Sequence, residues 1–313
     1  MTPRHEGASG TTGAGSLPAP GNQVKRAKQW RELASAILVR LAVVVILIVF
    51  LFPIYWIVST SLKQQNDVAT LPPHLFDFHP TLDNYVAVLQ GSTTFQTAVA
   101  VPDFTADLLH SFLIGIASTG LALILGTPAA YVLARIRFRG RALLAISILA
   151  TRILPPLGVL VPIFVLYSKV HLIDTFIGLI VLYLSFSLSL VIWMMRGFIA
   201  EVPGALEECA MIDGTGRLGA LLRITLPLVA PGLAATTILS LLFNWNEFLF
   251  AVTLTSQTAR TAPVAASLFL SSHAVVWGNL SAACVLIAGP IFIFALMVQR
   301  HLVRGLVSGA VRE

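Results

Sequence analysis

Six long stretches of apolar residues, separated by shorter polar segments, dominate the hydropathy pattern of this chain. A helix needs about 20 mostly apolar residues to cross the hydrocarbon layer of a bilayer. The strands of a membrane barrel have about ten residues of alternating polarity. The lengths of the six stretches therefore predict an all-α integral membrane protein with six transmembrane helices. The predicted spans are residues 36–58, 108–133, 143–167, 176–198, 228–254 and 280–299.

Composition also favours a membrane protein. The chain has 313 residues, of which 57% are hydrophobic and 11% charged, against about 25% charged residues in soluble domains. The net charge of +6 does not indicate nucleic-acid binding, because the basic residues lie at the ends of apolar stretches without interleaved aromatics. Residues 1–30 are polar and small and are predicted to form a disordered tail. After this tail we predict a six-helix membrane domain over residues 31–301 and a C-terminal tail over residues 302–313.

Lys and Arg are concentrated on one side of the predicted helices. They occur in both terminal tails and in the loops 135–142 and 196–227, whereas the opposite side has only Lys63, Lys169 and Arg260. Because loops rich in Lys and Arg stay in the cytoplasm, this distribution predicts that both termini are cytoplasmic. Two termini on one side also agree with an even number of spans.

The cytoplasmic segment between the fourth and fifth predicted spans is expected to form two short helices. Pro203 suits the first position of a helix, and the charges of Glu207 and Glu208 are favourable near a helix N-terminus. Asp213-Gly214 is a typical turn. Small and apolar residues recur at helical spacing on each side of that turn. They are Ala205, Leu206, Cys209, Ala210 and Ile212 in the first helix, and Leu218, Leu221 and Leu222 in the second, which Pro227 ends.

This helical hairpin lies within residues 199–227, and two kinds of surface would hold its apolar side. One is the lipid interface, where amphipathic helices usually carry Lys and Arg on their polar side. The other is a groove on a partner protein. The first helix carries Glu207, Glu208 and Asp213, which the anionic inner leaflet would repel. Docking into a protein groove is the favoured interpretation, and the lipid surface is the alternative.

The same loop resembles the coupling-loop signature of bacterial ABC importer permeases, which is Glu-Ala-Ala, three residues, Gly, nine residues and Ile-x-Leu-Pro. Both spacings are kept, and Cys209 in place of Ala is the one departure; the signature reads Glu208-Cys209-Ala210, Gly214 and Ile224-Thr225-Leu226-Pro227. The resemblance implies the type I importer permease fold, in a bacterial cytoplasmic membrane, with the loop fitting a cleft on an ATPase. The implied coupling residues are Glu207, Glu208, Cys209, Ala210, Met211, Asp213, Gly214, Ile224, Leu226 and Pro227.

Further segments resemble the maltose-type carbohydrate permeases, specifically the MalG-like member of the heterodimeric pair. They are FPIYWIVSTSLK (52–63), TLDNY (81–85), AAYVLARIRFRGR (129–141), NWNEFLFA (244–251) and LVRGLVSGAVRE (302–313). The resemblance implies a sugar or sugar-like solute and a C-terminal tail that reaches toward the ATPase pair. The implied partners are a second, MalF-like permease subunit, two copies of an ATPase subunit, an extracytoplasmic solute-binding protein and the lipid bilayer.

The sequence shows no catalytic machinery. An ATP-binding loop of the form G-x-x-x-x-G-K-[ST] is absent, since no lysine of the chain follows a glycine. ATP and Mg²⁺ are therefore expected on a separate ATPase, and this chain is not expected to be an enzyme by itself. The seven histidines show no metal-ligand spacing such as H-E-x-x-H. No metal or other cofactor is expected in this chain.

Two groups of polar residues at membrane depth are candidates for the solute path, because such residues usually face a cavity or a partner. Arg152 lies near the middle of the third span, and the prolines that follow it are expected to break the helix. Its alternative role is a structural pairing at the subunit interface. The fifth span contributes amide, indole and carboxylate groups of the kind that bind sugars; the alternative role is hydrogen bonding between helices. These residues are Asn244, Trp245, Asn246 and Glu247.

The favoured function is one half of the translocation path of an ATP-driven importer, with two alternatives. Six spans also fit half of a secondary transporter driven by an ion gradient, which needs intramembrane acidic residues, and Glu247 alone is available. A membrane protein without transport activity is the second alternative, and it leaves the coupling hairpin without a role. The sequence does not distinguish trehalose or maltose from oligosaccharides, polyols or glycerol phosphates as the solute.

Overall fold

The computed structural model describes residues 21–68, 70, 72–91, 104–270 and 275–309, without the side chains of 21–29, 31–32 and 297–309. Within these residues the regular structure is helical, apart from an isolated antiparallel bridge between Leu270 and Val275. The predicted all-α membrane fold is therefore confirmed. The first eight helices are α1 (Gly21–Ser61), α2 (Gln65–Val68), α3 (Asp83–Gln90), α4 (Phe104–Arg135), α5 (Arg141–Ala150), α6 (Pro156–Lys169), α7 (Phe176–Glu201) and α8 (Gly204–Ile212).

The second half of the fold begins with a composite helix. It consists of α9 (Arg217–Ala220), a π-helical segment (Leu221–Thr225) and α10 (Leu226–Leu228). The remaining helices are α11 (Ala230–Trp245), α12 (Leu249–Leu254), α13 (Ala262–Ser267) and α14 (Trp277–Gly309). The last residues of the predicted C-terminal tail, 310–313, lie outside the described residues.

Helix α1 contains the first predicted span. It begins at Gly21, inside the segment predicted as a disordered tail, and residues 1–20 of that tail lie outside the described residues. Its apolar part, Leu33–Ser61, contains an 18-residue stretch with a mean hydropathy of 3.1, which is typical of a helix that crosses a bilayer. The chain divides into two units between Trp56 and Ile57.

The number of continuous membrane helices differs from the prediction. Among the described residues, four helices are long and apolar enough to cross a membrane, namely α1, α4, α7 and α14. A fifth crossing arises if Arg217–Leu228 and Ala230–Trp245, which meet at 81°, are counted together. The predicted third span is divided into α5 and α6, of 10 and 14 residues. Membrane-spanning helices are thus confirmed, whereas the count of six is not.

Both predicted spans that contain candidate path residues are interrupted, and each interruption has a local cause. Residues 151–155 separate α5 from α6, and Pro155 and Pro156 lack the backbone N–H groups that would continue the helical ladder. Residues 246–248 separate α11 from α12. There the carboxylate of Glu247 accepts the backbone N–H groups of Phe250 (2.9 Å) and Ala251 (3.1 Å), so the second break is stabilised by a side-chain cap.

Helices α4 and α7 form the centre of the bundle, and small residues let them approach closely. Val191 and Met195 of α7 are fully buried against Ala122 and Ala130 of α4. A Cβ atom added at Gly126 of α4 would lie only 2.7 Å from a methyl group of Val191. Close approach of backbones at small residues is typical of helix packing in membranes, and here it fixes the end of α4 beside the end of α7.

Candidate functional site

Helix α8 and the turn after it form the first half of the predicted hairpin. Pro203 precedes the helix in an extended conformation. The helix ends at Ile212 with Asp213 as its C-cap residue, and Gly214 adopts a φ of +89°, the left-handed conformation that favours glycine at a helix C-terminus. The backbone N–H and the hydroxyl of Thr215 both donate to the carbonyl of Ala210. The predicted turn at Asp213-Gly214 is therefore confirmed.

The second half of the hairpin is a composite helix that packs on the bundle. Its α-helical and π-helical turns run to Leu228, one residue beyond Pro227, where the sequence predicted an end. Leu221 and Thr225 in the π-helical segment are buried, and Leu221 joins the apolar cluster of α4 and α7. The hairpin is thus attached to the bundle through its second helix.

Apolar side chains of the hairpin remain exposed beyond the end of α7. The exposed fractions of Leu206, Ile212 and Leu218 are 46%, 84% and 65%. We call the exposed α8 residues Ala205, Leu206, Cys209 and Ile212 the α8 surface. Among the predicted coupling residues, Glu208, Cys209, Asp213, Gly214 and Pro227 are exposed, and Ala210, Met211, Ile224 and Leu226 are half-buried.

Glu207 is the exception among the predicted coupling residues, because it is buried inside the chain. Glu207 is 3% exposed, and its carboxylate accepts hydrogen bonds from three side chains. The hydroxyl of Tyr131 donates to Oε2 at 2.9 Å, and Arg135 Nε and the hydroxyl of Thr225 donate to Oε1 at 2.9 and 2.8 Å. The carboxylate of Glu207 therefore faces this chain's own helices.

Arg152, the charged candidate for the solute path, lies in the break between α5 and α6 and is exposed. Its guanidinium carbon is 5.1 Å from the centroid of the Phe243 ring in α11, a distance typical of a cation–π contact. Asn246, in the break after α11, is also exposed and donates to the carbonyl of Leu242 at 2.8 Å. The broken third span therefore contacts the fifth span three residues before the break of the fifth.

Asn244 and Trp245 use their polar atoms to join helices. The side-chain amide of Asn244 donates to the hydroxyls of Ser118 and Thr119 in α4, both at 3.0 Å. Its oxygen accepts the hydroxyl of Ser187 in α7 at 2.9 Å. The indole N–H of Trp245 donates to the carbonyl of Ile287 in α14 at 3.1 Å. These bonds are hydrogen bonds between helices, which was the alternative role predicted for these residues. Contact of these residues with solute stays a prediction.

Glu247 is held at the start of α12. In addition to the two backbone N–H groups that it caps, its Oε2 accepts the hydroxyl of Tyr183 in α7 at 2.9 Å. The residue is half-buried, so one carboxylate links the broken fifth span to α7. Across the described ranges, no three His, Cys, Asp or Glu side chains lie close enough together to hold a metal ion.

Comparison with known proteins identifies the family. A family model described as "Binding-protein-dependent transport system inner membrane component" matches residues 122–308, more than half of the chain. The chain belongs to this family. The match includes the helical hairpin within residues 199–227 and both broken spans. The predicted membership in the ABC transporter permeases is therefore confirmed.

Two relatives and one solved structure extend the comparison. This permease is 36% identical over 265 residues to the trehalose transport system permease protein SugB of Mycobacterium tuberculosis, covering 84% of this chain and 92% of that one. It is 33% identical over 283 residues to the trehalose/maltose transport system permease protein MalG of Thermococcus litoralis, covering 90% and 98%. A bacterial ABC transporter involved in the import of the acidic polysaccharide alginate shares the fold, with a TM-score of 0.68, 21% identity and coverage of 88% and 97%.

Sequence reasoning missed the partners of Glu207 in the permease. Tyr131 and Arg135 are four residues apart and therefore lie on the same side of α4, within the segment AAYVLARIRFRGR. That spacing is a signal that two polar groups share one partner, but it does not name the partner. In the sequence alone, Arg135 is recognisable only as part of the positive charge of the 135–142 loop.

A second carboxylate at the opposite end of α7 was also missed. Asp174 precedes α7, and its side chain accepts the backbone N–H groups of Ser256, Gln257, Thr258 and Ala259 at 3.0–3.2 Å and the Ser256 hydroxyl at 2.8 Å. Burial alone would raise the pKa of Asp174, but these hydrogen bonds outweigh it and hold the pKa well below the usual range. The carboxylate therefore ties the turn before α7 to the segment after α12.

A buried ion pair lies near the same segment. The Nε and Nη2 atoms of Arg260 donate to the two carboxylate oxygens of Asp107 at 3.1 and 2.9 Å. Both residues are buried, and such forked pairs are strong because two bonds share one geometry. In the sequence alone, Arg260 is recognisable only as one of the few basic residues of the predicted outer side.

Proposed function

We propose that this permease is one of two permease subunits of an ATP-driven importer for a sugar or sugar-like solute. It forms half of the translocation path, and ATP and Mg²⁺ bind to two copies of a separate ATPase subunit. A solute-binding protein delivers the solute on the outer side of a bacterial cytoplasmic membrane. Both termini and the coupling hairpin lie in the cytoplasm, as the distribution of Lys and Arg indicates.

The observation that carries this proposal is the exposed, apolar α8 surface. Burial of apolar area is favourable by about 25 cal/mol per Å², so side chains such as Ile212, which is 84% exposed, are suited to a partner. The same helix carries the exposed acidic residues Glu208 and Asp213, which anionic lipid head groups repel. A groove on a protein fits both properties, and in this family of transport components the expected protein is the ATPase.

The sugar-like class of solute is inferred from relatives. The Mycobacterium tuberculosis and Thermococcus litoralis proteins are named for trehalose and for trehalose and maltose transport. These relatives are aligned over at least 84% of this chain, so the resemblance includes the membrane helices that line a path. We therefore propose a disaccharide or a similar polyhydroxylated compound.

The two broken spans support a location for the path within this subunit. Irregular backbone at membrane depth is tolerated where it is buried in protein or lines a cavity. The breaks at 151–155 and 246–248 expose Arg152 and Asn246, and Arg152 contacts Phe243. We propose that Arg152 and Asn246 face the path, and that Asn244, Trp245 and Glu247 hold its wall through their bonds to other helices.

The proposed cycle is alternating access. Closure of the ATPase pair on ATP moves the docked hairpin as a lever, and the permease pair changes from inward-open to outward-open. The solute enters from the binding protein, and ATP hydrolysis returns the pair to the inward-open state, which releases the solute. In this cycle the α8 surface receives the movement, and the broken spans contact the solute.

Substitution of Ile212 tests the docking. Ile212→Asp places a charge in the apolar contact, and we expect ATPase co-purification with the permease to fall about tenfold, the effect of about 1.4 kcal/mol. Ile212→Met keeps an apolar side chain of similar volume and serves as the matched control, with co-purification as in the wild type. If both variants retain the ATPase equally, the α8 surface is not the docking site.

The energy source and the solute are tested together in cells. Labelled trehalose, maltose, a polyol and glycerol phosphate are supplied to cells that express the complete transporter. We expect uptake of one of them to stop when ATP is depleted and to continue when an uncoupler removes the proton gradient. The opposite dependence would identify a secondary transporter, and uptake of none of the four would contradict a disaccharide, a polyol or glycerol phosphate as the solute.

A further inference from the structure

The end of α4 and the start of α8 are joined by one carboxylate. Glu207 lies in the first turn of α8, and its two oxygens are shared between the guanidinium of Arg135 and the hydroxyl of Tyr131, both in the last turns of α4. The ion pair between Arg135 Nη2 and Glu207 Oε1 is 2.9 Å long, and the two side chains are 17% and 4% exposed. Little water therefore competes with this contact.

The side chains of Arg135 and Glu207 also hold the chain on either side of α8. Arg135 Nη2 donates to the carbonyl of Val202 at 2.6 Å, which fixes the segment between α7 and α8. The hydroxyl of Thr225, which is fully buried in the π-helical segment, donates to Glu207 at 2.8 Å. The four side chains thus join α4, α8 and the composite helix; we call Tyr131, Arg135, Glu207 and Thr225 the Glu207 cluster.

The contacts of the α8 surface and of the Glu207 cluster point in different directions from one short helix. Leu206 and Ile212 are exposed, whereas Glu207 between them in sequence is buried. A force applied to the exposed side of α8 must reach the bundle through the buried side. Packing alone permits sliding of one helix on another, but charge-assisted hydrogen bonds with fixed geometry resist it.

We propose that Glu207 is a positioning residue that transmits the movement of α8 into α4, so that the cluster makes the docking helix and the end of α4 move as one body. This inference rests on the proposed function, because it requires an ATPase that moves α8. It assigns Glu207 a role distinct from docking, in contrast to its neighbour Glu208, which is exposed. Loss of the cluster therefore leaves the ATPase bound and uncouples it.

The test measures the conformational response without knowledge of the solute. In a Cys209→Ala, Cys284→Ala background, Asn246→Cys places a single reporter thiol of this chain in the break after α11. The reporter is labelled with a membrane-impermeant maleimide in the purified complex, with and without Mg-ATP and vanadate. With Glu207 present we expect the labelling rate to change with nucleotide, and with Glu207→Gln we expect that change to shrink about tenfold, within the usual range of coupling between sites.

Several comparisons separate a positioning role from a merely structural one. Relative to the same background with Glu207, Glu207→Gln is expected to retain ATPase co-purification and basal ATP hydrolysis within about twofold, since Glu207 is buried and is not part of the α8 surface. Tyr131→Phe and Thr225→Val, which keep side-chain shape and remove one hydroxyl each, should give intermediate losses of the nucleotide response. Glu201→Gln makes the same chemical change at an exposed position at the end of α7 and should behave as the wild type.

Each remaining outcome decides a different question. A nucleotide response in Glu207→Gln equal to that of the wild type would overturn the inference and leave the proposed function intact. Loss of assembly in Glu207→Gln, Tyr131→Phe and Thr225→Val in parallel with the response would show that the cluster serves folding, which also overturns it. If the complex with Glu207 binds no ATPase, or its reporter does not respond to nucleotide, the proposed function itself fails.

Discussion

The two ends of α7 each have a carboxylate that ties a neighbouring segment to the bundle, but the two carboxylates do so in different ways. After α7, Glu207 is bound by three side chains and is 3% exposed. Before α7, Asp174 is bound mainly by backbone N–H groups of residues 256–259 and is half-exposed. The 26 residues of α7 separate the two sites by about 39 Å at 1.5 Å per residue.

Because their hydrogen-bond donors differ, the contacts at the two ends of α7 are expected to tolerate different substitutions. Backbone N–H groups are present whatever the side chains are, so the contact at Asp174 depends on one residue and on the path of its partner segment. The contact at Glu207 depends on four particular side chains from three helical elements. Buried charges also lack water as a substitute partner. We therefore expect the Glu207 end to be sensitive to each of its members and the Asp174 end to be sensitive mainly to Asp174.

The largest expected effect is the loss of Arg135. Arg135→Ala leaves the Glu207 carboxylate without its cation in a buried position, and removal of one partner of a buried pair costs about 3–5 kcal/mol. We expect the melting temperature of the purified complex to fall accordingly. Arg137→Ala, an exposed arginine two residues further along, is the matched control and should change stability by less than about 0.5 kcal/mol. Equal effects of the two substitutions would contradict a special role for the Glu207 cluster.

A smaller loss is expected when Asp174 is removed. Asp174→Ala takes away the shared acceptor of four backbone N–H groups, but these groups are partly exposed and water replaces the carboxylate. The expected cost is about 2 kcal/mol, in the range for lost hydrogen bonds to a charged group. Asp77→Ala, at an exposed aspartate, is the control. A melting temperature unchanged in both variants would mean that the Asp174 contact contributes nothing to stability.

The Asp174 end should also show a specific pH dependence. Its hydrogen bonds lower the pKa of Asp174 below the ordinary value of 3.8, so its contribution to stability is present above that value and is lost as the pH falls toward the lowered pKa. The difference in melting temperature between wild type and Asp174→Ala should be constant from about pH 7 to pH 5 and shrink below about pH 4. A difference that shrinks between pH 7 and pH 5 would contradict the lowered pKa.

The same comparison shows how far sequence reasoning reaches. The helical hairpin, its turn at Gly214 and the break at Pro155 and Pro156 were predictable, because periodicity, glycine and proline act over a few residues. The break at 246–248 has no proline or glycine, and it follows from Glu247 capping α12, which local pattern did not indicate. A single helix turn also places Glu207 and Glu208 in opposite environments, and only the helices packed against α8 decide which one is buried.

Long-range partners were the part that the sequence could not supply. Asp174 and the 256–259 segment are 82 to 85 positions apart, and Glu207 and Arg135 are 72 apart. Nothing in either segment names the other, because each contact is produced by the packing of whole helices such as α4 on α7. The signal that was present, Tyr131 and Arg135 one helical turn apart, becomes informative only when α8 is placed beside it.

The smallest expected effects come from removing one hydroxyl donor at each end. Thr225→Val removes a fully buried donor to Glu207, and we expect a loss of about 1.5 kcal/mol, as for a buried hydrogen bond to a charged group. Ser256→Ala removes an exposed donor to Asp174, where the backbone bonds remain and water fills the place, so the expected loss is about 0.5 kcal/mol or less. Thermal unfolding of the two single variants measures both values. A larger loss at Ser256 than at Thr225 would reverse the comparison, because it would place the more sensitive side-chain contact at the end of the bundle that relies on backbone groups.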